Sequence, residues 1–138
     1  RGCTAEEVEK VELKPGLHAS ACRVPLTGPL LFVAITSPVG NFNLRKALRR
    51  GLWLMSTFPA QDRASYMFFV GKGHDTAEDE RVAQEIRQFG DVVQFDIADS
   101  YPNLAVKSVG AAAWMSFRLD TSRVHYWLKV EDFMSNNF

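Results

Sequence analysis

Apolar residues along this chain gather in four short runs, and the stretches between them carry apolar residues at helical spacing. Residues 30–35 (LLFVAI), 64–70 (ASYMFFV), 91–96 (DVVQFD) and 125–130 (HYWLKV) are short and rich in aromatic and β-branched side chains. Runs of that length and composition predict strands rather than helices. The first is apolar on both faces, as expected of a strand with helices packed on each side of its sheet. Between the runs, Leu44, Ala47, Leu48 and Leu52 recur at helical spacing over residues 43–54, with the basic residues on the other faces. Thr76-Ala77-Glu78-Asp79 opens a second helix with acids in its first turn. That helix runs through Val82, Ile86 and Phe89 and stops at Gly90. Residues 104–117 predict a third helix, whose small residues Gly110 to Ala113 allow close approach to a sheet. Residues 1–29 lack such a pattern. Val8 and Val11 among Glu6, Glu7, Glu9 and Lys10 suit a short helix, broken by Lys14-Pro15-Gly16 and again by Pro25, Gly28 and Pro29. This part is expected to be an irregular lead-in or stem.

Strand and helix therefore alternate from residue 30 onward. Such alternation predicts an α/β fold: a Rossmann-like, mostly parallel sheet with helices on both faces. The 138 residues suffice for about one domain with a real core. Sixteen basic and 16 acidic residues cancel, and with no basic block there is no electrostatic footprint for nucleic acid. No apolar run approaches the roughly 20 residues of a membrane-spanning helix. Cys3 and Cys22 either pair, which suits a secretory compartment, or stay free; two cysteines leave both open. Three scattered histidines without cysteine partners form no zinc pattern. The chain begins at Arg1 and ends at Phe138, shortly after an acidic pair, and reads as an excerpt of a longer protein.

That acidic pair is the first candidate for chemistry. Open α/β sheets bind ligands just past the carboxyl ends of their strands, and the last run ends in Glu131-Asp132. Two hard oxygen donors there suit a divalent cation that grips a diphosphate; the plainer alternative is a strand ending in two solvated acids. Gly71-Lys72-Gly73 lacks the spacing of a phosphate loop and reads as a turn. By pattern alone, Arg45 and Arg49 fit a solvated helix face, Asp99 a loop former and Lys107 an exposed helical lysine.

Several blocks taken together are more specific. Residues 90–107 (GDVVQFDIADSYPNLAVK), with Glu85 ahead of them, resemble the central motif of the β-1,3-galactosyltransferase family, which includes β-1,3-N-acetylglucosaminyltransferases and fringe proteins. Residues 31–37 and Arg45-Lys46-Ala47-Leu48-Arg49 resemble the family's first strand and its "R.AIR.TW" helix, and residues 66–71 resemble its "VFLLG" strand. Lys129-Val130-Glu131-Asp132-Phe133 sits where the family has "K.DDD", its form of the DXD metal motif. The resemblance covers about residues 30–137. Three departures stand out: Trp53 falls one place late, no cysteine follows the third helix, and Phe133 replaces the third acid.

The resemblance implies a truncated GT-A type fold, with residues 30–138 forming the nucleotide-sugar-binding half of a glycosyltransferase domain. It implies transfer of galactose or N-acetylglucosamine, with inversion, from a UDP-sugar donor to a glycan or glycoprotein acceptor. Arg45, Arg49, Asp99 and Lys107 would serve the donor, and Glu131 and Asp132 would hold Mn²⁺. The catalytic base is expected beyond residue 138, so the fragment alone is expected to be inactive. The parent would be a Golgi membrane protein facing the lumen. The alternative is a non-catalytic glycosyltransferase-like binding module, its metal motif degenerate at Phe133.

Overall fold

The computed structural model of the chain describes residues 2–23, 31–56, 64–118 and 126–131. The four apolar runs form strands β3 (Leu31–Thr36), β4 (Ala64–Lys72), β5 (Val92–Ala98) and β6 (Tyr126–Glu131). The helices between them are α1 (Phe42–Ser56), α2 (Thr76–Phe89) and α3 (Leu104–Arg118). β5, β4, β3 and β6 lie side by side in that order, each parallel to its neighbours. The predicted α/β architecture, a mostly parallel sheet in a GT-A-like arrangement, is therefore present.

Alternation along the strands sorts the core into two layers. Phe32, Ala34, Met67, Phe69, Val93 and Phe95 meet Ala111, Trp114 and Met115 of α3 on one face. Val33, Ile35, Tyr66, Phe68, Val70 and Val92 meet Val82 and Ile86 of α2 on the other, where Phe42 of α1 also packs. The small residues of α3 serve close packing: a Cβ added at Gly110 would stand 2.9 Å from the Phe95 ring. That ring stacks on Phe69, which meets Trp114 edge-on. α2 is capped at both ends. The Asp75 side chain accepts from the Glu78 amide, and Gly90, at φ 68°, closes the helix in the left-handed conformation that glycine adopts without strain.

The expectation of an irregular lead-in over residues 1–29 is corrected for residues 8–22. These form an antiparallel hairpin, β1 (Val8–Lys14) and β2 (Leu17–Cys22), that extends the sheet through pairing of β2 with β5. The full order is β1-β2-β5-β4-β3-β6. Leu17, Ala19 and Ala21 point into the α3-side core while His18 and Ser20 lie between them. Two of the three inward residues are alanines, so the period-2 signal is weak. Pro15-Gly16, read as a helix breaker, makes the hairpin turn, with Gly16 at φ 84°. A turn of 3-10 helix, Ala5–Glu7, is all the helix this part contains among the described residues. Cys3 and Cys22 form a disulfide, and the Cys3 amide donates to the Arg87 carbonyl at 2.8 Å, tying the N-terminal segment to the end of α2.

Candidate functional site beneath the switch point of the sheet

The chain moves from β3 to β4 to β5 on one side of β3, then returns to place β6 on the other. Where the strand order reverses, the loops diverge and leave a crevice at the carboxyl ends of the strands. Here the reversal falls between β3 and β6. Thr36, the last residue of β3, pairs with Phe69 on one side and with Glu131 on the other. The backbone of Glu131 therefore stands at the same edge as the loop that leaves β3. Asp132 and Phe133 lie outside the described residues.

That loop, residues 37–41, is held from below by two ion-pair systems. In the first, Lys107 of α3 donates to the Ser37 carbonyl at 3.0 Å and to Asp99 Oδ1 at 2.7 Å. The second oxygen of Asp99 accepts from the Val39 amide. Asp99 stands just past β5, three strands from β6 and roughly 14 Å away along the sheet. The loop bridges that separation. Its neighbour Gly71 is required by close approach, because a Cβ there would stand 2.8 Å from the Ile97 carbonyl and 3.0 Å from Asp99 Cα.

In the second system every N–H of Arg45 is used. Nε and Nη2 each donate to one oxygen of Glu85 at 2.8 Å. Nη1 donates to Ser37 Oγ at 3.1 Å and to the Pro38 carbonyl at 2.8 Å, and Nη2 also donates to the Val39 carbonyl at 2.9 Å. A guanidinium has five N–H donors, so the group is saturated. Arg49, one turn on, donates to Glu85 Oε2 at 2.9 Å and in fork geometry to Asp91 at 2.7 and 2.9 Å. Tyr66 completes the chain, donating to Asp91 Oδ2 at 2.7 Å. Burial alone would lower the Arg49 pKa. The hydrogen bonds and charges of Asp91, then Glu85, outweigh it and hold the pKa above the ordinary guanidinium value. Arg49 also lies over the Phe89 ring, 3.9 Å from its centre.

The fold thus gathers Arg45, Asp99 and Lys107 around one loop and sets Arg49 behind them on Glu85 and Asp91, with all four inside the protein. Arg45 is 0% exposed, Arg49 3% and Lys107 1%. The solvated positions that pattern alone suggested for them are corrected: each cation has a carboxylate partner that the linear sequence places elsewhere. Arg45, Asp99 and Lys107 reach a ligand through the loop they hold, and Arg49 only through the carboxylate it shares with Arg45. Glu85, Asp91 and Tyr66 carry half of this network. For Glu85 a signal existed, since it falls three residues after Val82 and beside Ile86 on the buried side of α2. An acid there needs a cation.

A second, more open pair sits on β2 and β5. His18 approaches Asp96 through its backbone amide at 2.8 Å and its ring Nδ1 at 3.1 Å. Partial burial works to raise the Asp96 carboxyl, but the His18 contacts prevail and hold it below the ordinary carboxylate value.

Among the described residues no three His, Cys, Asp or Glu side chains converge as a metal requires. Both oxygens of Asp99 are already engaged. The Glu131 backbone stands at the edge of the crevice; its carboxylate and that of Asp132, the next residue in sequence, are hard oxygen donors of the kind that suits Mg²⁺ or Mn²⁺.

An open α/β sheet with its strand order reversed at a braced loop is the architecture of proteins that bind ligands at a switch point. A family model described as galactosyltransferase matches residues 43–136. The chain is 32% identical over 110 residues to beta-1,3-galactosyltransferase brn of Drosophila melanogaster, covering 79% of this chain and 32% of that protein. It is 30% identical over 103 residues to beta-1,3-galactosyltransferase 1 of Homo sapiens, covering 75% and 31%. Beta-1,3-galactosyltransferase 5 of Gorilla gorilla gorilla is 30% identical over 89 residues, 64% of this chain and 30% of that protein. The chain belongs to the galactosyltransferase family. It spans about a third of the length of these relatives.

Proposed function

We propose that this chain forms the donor-binding part of a hexosyltransferase that moves galactose or N-acetylglucosamine from a UDP-sugar to a glycan or glycoprotein acceptor, with inversion at the sugar carbon. One observation carries the proposal: Thr36 pairs with Glu131, so the acidic end of β6 and the loop braced by Asp99, Lys107 and Arg45 share the switch point. Family membership supports sugar transfer.

The residues act as follows. The backbone of residues 37–41, leading into the N-terminus of α1, presents a fixed surface to the nucleotide, and helix N-termini favour phosphate. Asp99 and Lys107 set its position from β5 and α3, and Arg45 sets it from α1, with Arg49 holding the carboxylate that Arg45 grips. Glu131 and Asp132 would hold a divalent cation, Mn²⁺ by the family resemblance, and a cation held there would supply charge stabilisation for the diphosphate as the sugar bond breaks. The base that activates the acceptor hydroxyl is assigned to residues beyond 138. The Cys3–Cys22 disulfide supports a lumenal setting in the secretory pathway, and we place the parent protein on the Golgi membrane.

Phe133, where the family has a third acid, favours a second reading, a non-catalytic module of the same fold. UDP affinity of the full-length protein, measured calorimetrically with and without Mn²⁺, separates the two. The donor-binding proposal expects Mn²⁺ to tighten UDP by at least about tenfold and Asp132→Asn to remove that gain. Affinity indifferent to Mn²⁺ in the wild type favours the module.

A further inference from the structure

We infer that Glu85, on α2 and remote from the crevice surface, is a positioning residue for the loop that follows β3, acting through Arg45. The inference rests on the donor-binding reading only for its ligand; its geometry stands apart. Glu85 takes two of the five Arg45 donors, and the other three are directed at Ser37, Pro38 and Val39. The plane of a guanidinium is rigid. Fixing one edge of Arg45 on the carboxylate therefore fixes where the other edge meets the loop. Glu85 is itself immobilised, because its Oε2 also accepts from Arg49, and Arg49 is forked onto Asp91.

The loop so placed presents the Val39 amide to Asp99 and the Ser37 carbonyl to Lys107. A displacement of Arg45 thus reaches both partners on the far side of the sheet. The alternative is a carboxylate that merely neutralises two buried arginines. Charge alone does not require this arrangement, since any acid near both would neutralise them. What distinguishes it is that both oxygens of Glu85 meet the one edge of Arg45 that leaves the remaining three donors for the loop.

The test uses the full-length protein, UDP as probe, and two variants. Glu85→Gln removes the charge; the double variant Arg45→Met/Glu85→Met replaces the pair by apolar side chains and leaves Arg49 with Asp91. Such replacement restores stability where loss of one partner does not. A positioning role predicts that the double variant regains the thermal midpoint lost in Glu85→Gln while UDP still binds about tenfold to a hundredfold more weakly than to wild type, the scale of a misplaced binding element. Recovery of UDP affinity together with the midpoint would overturn it.

Amide exchange at Val39, taken relative to Phe68 in the same sample, decides between the two roles whether or not the double variant regains its midpoint. Phe68 N donates to the Asp91 carbonyl and reports the core. Faster exchange at Val39 alone, in both variants, supports positioning; unchanged relative exchange overturns it. If wild type binds no UDP, the donor reading fails, and the Val39 ratio still tests the role of Glu85.

Discussion

Single side chains in this protein are placed by their partners more than by their own chemistry. Lys107 is a long, flexible cation on a helix, a type that is rarely buried. It is buried here because Asp99 and the Ser37 carbonyl receive its ammonium. Cutting such a pair on one side leaves an unpaired buried charge, which costs about 3–5 kcal/mol. Lys107→Met is therefore expected to lower the unfolding free energy by that order, as measured in urea. Adding Asp99→Asn should recover most of the loss, because the amide oxygen still accepts from Val39. If Lys107→Met unfolds at the wild-type midpoint, the pair contributes nothing and the bracing of the loop from α3 is refuted. Asp99 and Lys107 stand eight residues apart and were legible together as a motif. Arg45 with Glu85 and Arg49 with Asp91 were not, since 40 and 42 residues separate them and only the packing of α1 onto β4, beside α2 and the turn that precedes β5, joins them.

At the scale of elements, the helices and parallel strands followed their periodicity closely, whereas the N-terminal hairpin did not. α2 is bounded by Asp75 and Gly90, residues whose side chain or backbone ends a helix wherever it occurs. β1 and β2 have no such local instruction. Their alternation is blunted by alanine, and their pairing depends on β5, more than 70 residues away. The disulfide helps such a distant edge to hold. Cys3 and Cys22 are separated by 19 positions, and closing a loop of that size constrains the unfolded chain by about 3 kcal/mol. Cys3→Ser with Cys22→Ser is expected to lower the denaturation midpoint accordingly and to speed amide exchange in β1 and β2 first. Equal acceleration throughout the sheet would show that the hairpin has no stability of its own to lose.

For the whole molecule, the reversal of strand order sets where a ligand belongs. The hairpin lengthens the sheet at the β5 edge, away from the switch point between β3 and β6. UDP bound at the reversal should slow exchange of the Gly40 and Asn41 amides and leave those of Lys10 and Ser20 unchanged. Protection spread over the hairpin instead would place the nucleotide elsewhere.

The sequence alone determined the layers. Apolar runs of strand length alternating with amphipathic stretches leave few arrangements other than a parallel sheet between helices, because each element must bury its own apolar face. It also determined which residues form the family's motifs. The tertiary structure decided the roles of those residues: which arginine meets which acid, that both face inward, that the first strands join the far edge of the sheet, and that residue 131 lies beside residue 36. The physical reason is range. Periodicity and capping act within a few residues, whereas ion pairs and strand order depend on distances in space that only the packed chain establishes.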